Sequence, residues 1–415
     1  MANKAVDVAI VGGGLAGGLI ALACNRQTPG LALALIEKGA ALGGNHRWSW
    51  FASDLDDAGG ALMDCFAHKQ WQGGYDVRFA DYARTLTTPY RSLASVDFDA
   101  ALMKQLPRGA VHLNAQAASL DESGVTLASG ERIEARVVID CRPFQPSPHL
   151  QGGWQIFAGQ HLQLDKPHKA KRPIIMDADV DQCAPDGNGS AYRFVYSLPL
   201  GEREIFVEDT YYADEPRMDR AMLEGRITQY RHSARWEGKV IASETGILPV
   251  ITGGDFAAYL SAISIPGVAI AGARGGFTHP LTSYTVPIAV ENARYIAKEI
   301  GKDTQISGAQ FAPLIERRAK AHWRKTRFYR MLGKMLFLAA NPAQRDRIFA
   351  LFYTRPQPLV ERFYRAQSNW KDRLRILSGR PPVSIRSAMK ALASGGKQLK
   401  PSDPSPASSG DTDER

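Results

Sequence analysis

The sequence predicts an α/β protein: a Rossmann-type nucleotide-binding fold carrying an inserted β-rich domain and a helical C-terminal region. Three observations carry this. A buried strand, a glycine-rich turn, a helix and a second strand ending on an acid follow one another within residues 5–37. Residues 119–140 (SLDESGVTLASGERIEARVVID) alternate apolar and polar side chains across turns at Ser123-Gly124 and Ser129-Gly130, the pattern of a three-stranded meander. Far downstream, residues 268–272 (VAIAG) form a further buried strand closing on glycine, followed by a helix pattern over 287–300.

The first unit opens with residues 5–11 (AVDVAIV), rich in branched side chains, as the strand. It runs into Gly12-Gly13-Gly14-Leu15-Ala16-Gly17, a G-x-G-x-x-G. Gly12 permits a tight turn, Gly14 lets the backbone approach a pyrophosphate, and Gly17 lets helix and strand pack closely. A helix over 18–26 then offers its N–H groups and positive dipole end to phosphates. Pro29-Gly30 turns the chain into residues 31–36 (LALALI), and Glu37 stands where an acid accepts hydrogen bonds from a ribose. A secretory leader is not expected, because Asp7 sits in the would-be basic region and five glycines interrupt the stretch between Val8 and Cys24. That stretch is also too short for a membrane span, so none is predicted.

FAD is expected rather than NAD as the resident dinucleotide. After Glu37 and Lys38 comes a second glycine pair, Gly43-Gly44-Asn45-His46, as in large flavoproteins. The meander ending at Asp140 and the closing strand at 268–272 have the order found in the flavoprotein hydroxylases. Those enzymes end the closing strand in Gly-Asp, whereas this chain has Gly272-Ala273-Arg274. An Arg there brings positive charge towards the flavin or its phosphates and weakens a hydroxylase reading. Lys38, Gly44, His46, Asp140, Gly272, Arg274, Gly276 and His279 complete the expected cofactor-contacting set.

Composition fits a globular protein: 415 residues, 44% hydrophobic and 22% charged. Cys24, Cys65, Cys141 and Cys183 lie far apart with no CxxC spacing, which argues against a zinc site and suits a reducing cytoplasm. Of the net charge of +9, residues 316–390 contribute +15 (19 Lys and Arg against 4 Asp and Glu), leaving −6 elsewhere. In 317–340, cationic residues alternate with apolar ones at helical spacing, and helix patterns continue over 345–353 and 359–367. This suggests basic amphipathic helices on an anionic membrane surface. Nucleic acid is the weaker expectation, because no nucleic-acid-binding signature accompanies the charge. Beyond 391 the Ser, Pro, Gly and Asp content predicts a disordered tail. The expected domains are therefore a discontinuous FAD-binding domain (1–55, 90–145 and 246–305), a substrate domain (56–89 and 146–245), a basic helical region (306–390) and the tail (391–415).

Within the substrate domain, residues 205–212 (IFVEDTYY) read as a strand, so Glu208 and Asp209 point to opposite faces. Burial of either carboxyl in an apolar cleft would raise its pKa and keep it protonated at neutral pH. Asp177, Asp179 and Asp181 have the spacing of one strand face, but no metal site is expected because no His or further acid motif follows. Aromatic residues such as Trp154, Phe157, Tyr196 and Phe206 could face a cation through their π systems, though core packing is the simpler role for each.

Several segments together resemble the lycopene beta-cyclase family of carotenoid-producing bacteria. They are Gly43-Gly44-Asn45-His46 with Trp48-Ser49-Trp50, residues 136–140 (RVVID), 153–160 (GWQIFAGQ), 173–178 (PIIMDA) with 180–182, 192–199 (YRFVYSLP), 206–211 (FVEDTY), 244–249 (ETGILP) and 274–287. The resemblance spans most of residues 5–390. Arg47 departs from it, standing where threonine is common. The resemblance implies cyclisation of the ψ-ends of lycopene and related linear carotenes, via γ-carotene, to β-carotene. It implies a proton-initiated isomerisation that needs reduced FAD, with NAD(P)H as the expected reductant, at the cytoplasmic face of the inner membrane. It carries the essential acid to Glu208, with Asp209 as a secondary group. The competing readings are a FAD-dependent monooxygenase or oxidoreductase acting on a hydrophobic isoprenoid, and a non-catalytic prenyl-lipid escort; the intact dinucleotide fingerprint disfavours the escort.

Overall fold

A computed structural model describes residues 4–182, 192–340, 345–378 and 385–400. Its centre is a seven-stranded sheet. Lys4–Val11 lies between Leu33–Ile36 and Arg132–Asp140, parallel to both. The outer edge of Arg132–Asp140 is shared: its beginning pairs with the antiparallel meander Gly124–Leu127 and Ala117–Asp121, and its end pairs in parallel with Val268–Ile270. Two long-range strand ends thus converge where Lys4–Val11 runs into the glycine turn. The helix Leu15–Gln27 is apolar nearly all round and is buried between this sheet and Val286–Lys302. The predicted βαβ unit, meander and closing strand are all present, so the fold is the Rossmann-type FAD-binding flavoprotein fold.

The inserted region is an eight-stranded sheet. Seven strands run in the order Gly238–Gly254, Ser147–Leu164, Glu204–Ala213, Arg193–Gly201, Ile174–Asp177, Tyr75–Phe79 and Tyr82–Leu86, and the eighth, Gln398–Leu399, pairs with Ser147–Leu164 off this path. The expected boundary at 245/246 falls inside the first of these strands, which stays in this sheet to Gly254. A small sheet of Arg47–Phe51, Tyr90–Ala94 and Lys69–Trp71 lies beside it, joined to it by a hydrogen bond from the Tyr196 hydroxyl to Ser49 (2.7 Å).

The C-terminal region is helical, with one correction. Residues 317–340, expected as a membrane-facing helix, are split between Gly308–Lys325 and Arg327–Leu338; Ala319, Phe328, Tyr329 and Leu336 are buried, and Trp323, Met331, Leu332, Met335 and Phe337 are half-buried. Phe311, Ile315, Ala319, Phe328, Tyr329 and Leu336 close the core. Trp323 stacks on Phe256 at 4.5 Å, and the Arg330 guanidinium lies 3.6 Å from the Trp323 ring. An amphipathic pattern shows that a face needs cover; here the protein's own body supplies it. Leu338, at the end of the second helix, is exposed, and further exposed apolar residues of the region lie beyond it, including Leu351, Trp370, Leu374 and Leu377. The beginning of the expected disordered tail is also ordered: Ile385–Ala393 is helical, and Gln398–Leu399 adds a short strand to Ser147–Leu164. Residues 401–415 lie outside the described residues. No described helix is long and apolar enough to cross a membrane.

Candidate active site

The glycine loop has the shape its sequence requires. Gly12 has φ +104°, and a side chain there would strike the Cys141 carbonyl at 2.7 Å. A Cβ at Gly17 would meet the Gly12 oxygen at 2.0 Å, so helix and turn close only on glycine. Gly14 differs: its backbone is extended and a Cβ would meet nothing within 4 Å, the open approach a pyrophosphate needs. Leu15 begins the helix and is buried with Gly17, while Ala16 abuts Gly272 (3.0 Å from an added Cβ). Glu37 accepts hydrogen bonds from the backbone N–H groups of Gly13 and Gly39, both 2.8 Å. Its carboxylate therefore ties the second strand to the turn, at the point where a ribose would lie. Lys38, Gly44 and His46 are exposed. Asn45, next to Gly44, donates to the Ser243 carbonyl, linking the second glycine pair to the strand Gly238–Gly254.

Two expected cofactor residues are engaged by the protein itself. Asp140 is fully buried and binds Arg142 through both oxygens (2.9 and 2.8 Å), with Arg274 ion-paired to it at 3.1 Å. The Arg that departs from the hydroxylase pattern thus neutralises the acid of the neighbouring strand end. His279 is fully buried. Its Nδ1 accepts from the N–H groups of Leu281 and Thr282, and its Nε2 donates to the Phe363 carbonyl at 3.1 Å. Burial lowers its pKa to about 3. A neutral ring with both nitrogens occupied locks the turn to the C-terminal helices. Gly276, at φ +76°, packs against the Phe256 ring, where a Cβ would come within 2.8 Å.

Strand alternation separates the two carboxylates as expected. Asp209 faces inward and pairs with the buried Arg193, whose Nη2 and Nε reach one oxygen at 2.6 and 2.8 Å. This is a structural ion pair. Asp209→Asn leaves a buried guanidinium without its counter-charge, at a cost of ~3–5 kcal/mol. We expect the denaturant midpoint to fall while the folded fraction keeps its turnover; wild-type stability would contradict the assignment. Of the aspartate series, only Asp177 lies in a strand. It is buried, accepts from the Tyr230 hydroxyl at 2.7 Å and faces Arg78. Among the described residues no group of acids, His or Cys has the makings of a metal site.

Glu208 faces the other way, with Phe206, Thr210 and Tyr212. Its side chain is half-buried, and desolvation is the largest influence on its charge state. The Thr210 hydroxyl donates to it at 2.8 Å. It also hydrogen-bonds Glu244, and burial raises both carboxyls well above the ordinary glutamate range. Glu244 lies in the quoted 244–249 segment, but nothing local marked it as a site residue. The signal was the pairing register, which places Glu208 and Glu244 on either side of Gly159. Arg47, the departure from the family pattern, is half-buried close to Glu244, with its guanidinium 5.7 Å from the Phe206 ring. Tyr196, opposite Glu208 in register, joins Ser49 and Tyr90 in a hydroxyl chain.

Two spaces lie at the ends of this strand face. A cleft of about 500 Å³ is lined by Arg47, Phe206, Glu244 and the Asn45-His46 loop. An almost wholly apolar cavity of about 160 Å³ is lined by Tyr212, Leu281, Met335, Phe349, Leu351 and Leu377, among others. Tyr212 is four residues from Glu208, roughly 13 Å along the strand.

A family model described as "Lycopene cyclase protein" matches residues 7–390. A lycopene beta-cyclase of Pseudescherichia vulneris is 39% identical over 93% of this chain and 96% of its own length. One from Pantoea ananas is 36% identical over 93% and 97%. Among solved structures, a geranylgeranyl bacteriochlorophyll reductase-like protein from Thermoplasma acidophilum is similar in fold (TM-score 0.60, 13% identity, 94% of this chain and all of that one). So is 2-methyl-3-hydroxypyridine-5-carboxylic acid oxygenase (TM-score 0.54, 16% identity, 85% and 98%). With sequence similarity running almost from end to end, the chain belongs to the lycopene cyclase family.

Proposed function

We propose that this chain cyclises the ψ-ends of lycopene, via γ-carotene, to β-carotene by a proton-initiated isomerisation. The observation that carries the proposal is the placement of a carboxyl, Glu208, beside Glu244 across Gly159 and opposite Tyr196, with burial favouring its acid form. An alkene is a weak base, so it needs a donor kept protonated at neutral pH and shielded from water. Glu208 delivers the proton to the terminal double bond. The π faces of Phe206 and Tyr196 attract the tertiary cation that follows. The neighbouring double bond closes the ring, and loss of a ring proton completes it.

Gly12, Gly14, Gly17 and Glu37 would hold FAD; the open space over Gly14 and the closed contacts of Gly12 and Gly17 fit a dinucleotide. Reduced FAD, when bound, supplies negative charge that stabilises a carbocation electrostatically. NAD(P)H is the proposed source of that reduction. Expression in a lycopene-accumulating bacterium tests the function: β-carotene is expected, and unchanged lycopene or a hydroxylated pigment would contradict it.

The substrate is a long hydrocarbon that dissolves in a bilayer, and we propose that it arrives through the apolar cavity. Leu351 and Leu377 line that cavity and also reach the surface. Trp370, Leu374 and Leu377 are exposed on the helix Trp370–Leu377, with Lys371 and Arg375 exposed beside them. Such a surface suits an anionic membrane, where each cation near the headgroups adds about 1 kcal/mol. Trp370→Ser with Leu374→Ser is expected to reduce co-sedimentation with phosphatidylglycerol-containing vesicles, and added salt should weaken what remains. Undiminished binding would place the contact elsewhere.

A further inference from the structure

Glu208 and Glu244 sit on strands separated by a third, so their backbones are about 10 Å apart. Both are in register with Gly159 of the intervening strand Ser147–Leu164. A side chain at Gly159 would come within 2.4 Å of the Phe206 ring and 3.2 Å of Glu244 Cγ. Glycine therefore leaves the gap over which the two carboxyls meet. Their surroundings differ. Glu208 has the Thr210 hydroxyl and Tyr196 beside it, while Glu244 lines the cleft next to Arg47.

Resting on the cyclase reading above, we propose that Glu244 is the second catalytic carboxyl of a one-proton dyad: Glu208 gives the proton to the substrate, and Glu244 takes the ring proton back. The balance closes. The Glu208 O–H bond breaks and a C–H bond forms at the inner, CH carbon of the terminal double bond, leaving the tertiary cation on the dimethyl-bearing end carbon. Ring closure converts a π bond into a C–C bond. The ring C–H next to the new cation then breaks, its electron pair becomes the ring double bond, and the proton goes to Glu244. Transfer along the Glu208–Glu244 hydrogen bond restores the starting state, with no proton or electron consumed. The carbons that gain and lose the proton flank the same dimethyl-bearing ring carbon, so both lie within reach of one hydrogen-bonded carboxyl pair. After donation, two buried anions face each other. That repulsion draws the ring proton back, while Arg47 holds the charge on Glu244 in the meantime.

Glu244→Gln tests this in the purified holoprotein. Glutamine keeps the size and hydrogen bond but accepts no proton, so kcat should fall about 10²-fold or more, with KM and FAD content near wild type. The alkaline limb of kcat should move to lower pH, because the Gln amide donates to the Glu208 carboxylate and the neighbouring anion is gone. Arg47 and Tyr196 also face the pair; Asp209, on the opposite strand face and bound to Arg193, acts on Glu208 only through space. His46, His68, Lys69, Asp97, His161 and Glu204 line the cleft; burial lowers the pKa of His46 and of His161, away from this limb. Glu244→Asp should recover part of kcat with the limb near its wild-type position. If Glu244→Gln fails to retain FAD, Glu244→Asp decides: reduced kcat with normal KM supports the dyad, and wild-type kcat overturns it. A fully active Glu244→Gln with an unshifted limb, alongside an inactive Glu208→Gln, overturns the dyad and leaves the cyclase reading standing. Full activity in both removes the site itself.

Discussion

Replacing Glu208 by glutamine is expected to lower ring formation by about 10⁴-fold or more, the upper end of what a general acid contributes. An amide keeps the volume and the contact with Thr210 but has no proton acidic enough for an alkene. Glu208→Asp shortens the reach by one methylene and should be partly active at best. FAD content should not change in either, because Glu208 lies in the eight-stranded sheet and the glycine loop in the other. Stability should hold or rise, most visibly at alkaline pH. A carboxyl whose pKa is raised on folding makes the native state bind more protons than the unfolded chain. Its contribution therefore falls as pH climbs from about 4.3 through the raised folded value. Glutamine does not titrate and escapes that cost. Normal cyclisation by Glu208→Gln, measured on protein with full flavin content, would show that the proton comes from another group.

Gly14→Val is expected to abolish flavin retention without unfolding the protein. The Gly14 backbone (φ −70°, ψ −174°) suits any residue, and nothing lies within 4 Å of an added Cβ. The valine therefore projects only into the path of the pyrophosphate. Far-UV circular dichroism should match wild type while flavin absorbance disappears. Gly17→Val is the contrast: its Cβ would collide with the Gly12 oxygen at 2.0 Å, so the helix and the turn must part and soluble yield should collapse. A Gly14→Val protein that purifies with its full complement of flavin would show that the phosphates bind elsewhere.

What could be read from the sequence followed the range of the forces involved. The βαβ unit, the meander and the opposed faces of Glu208 and Asp209 are set by neighbours within a few residues, so periodicity and glycine spacing revealed them. The Glu208–Glu244 pair depends on the register of three strands over Gly159, drawn from segments tens of residues apart, and no local pattern reports that. Arg274 stood out as a departure, yet its partner Asp140 is joined to it only by the parallel pairing of Arg132–Asp140 with Val268–Ile270. The basic helices at 317–340 were recognisable as amphipathic, but the pattern alone did not distinguish a lipid surface from the protein's own core. The strand Gln398–Leu399 sits in a stretch of low apolar content and is held by its pairing with Ser147–Leu164.

Proton-initiated cyclisation leaves no electrons in the product, and this is the claim to test most directly. Purified holoprotein should be reduced once, chemically and without oxygen, and given lycopene in liposomes while ring formation and reductant are followed together. Many rings per reducing equivalent are expected, with little or no activity from the oxidised flavin. Consumption of one NAD(P)H for every ring formed would contradict an isomerisation.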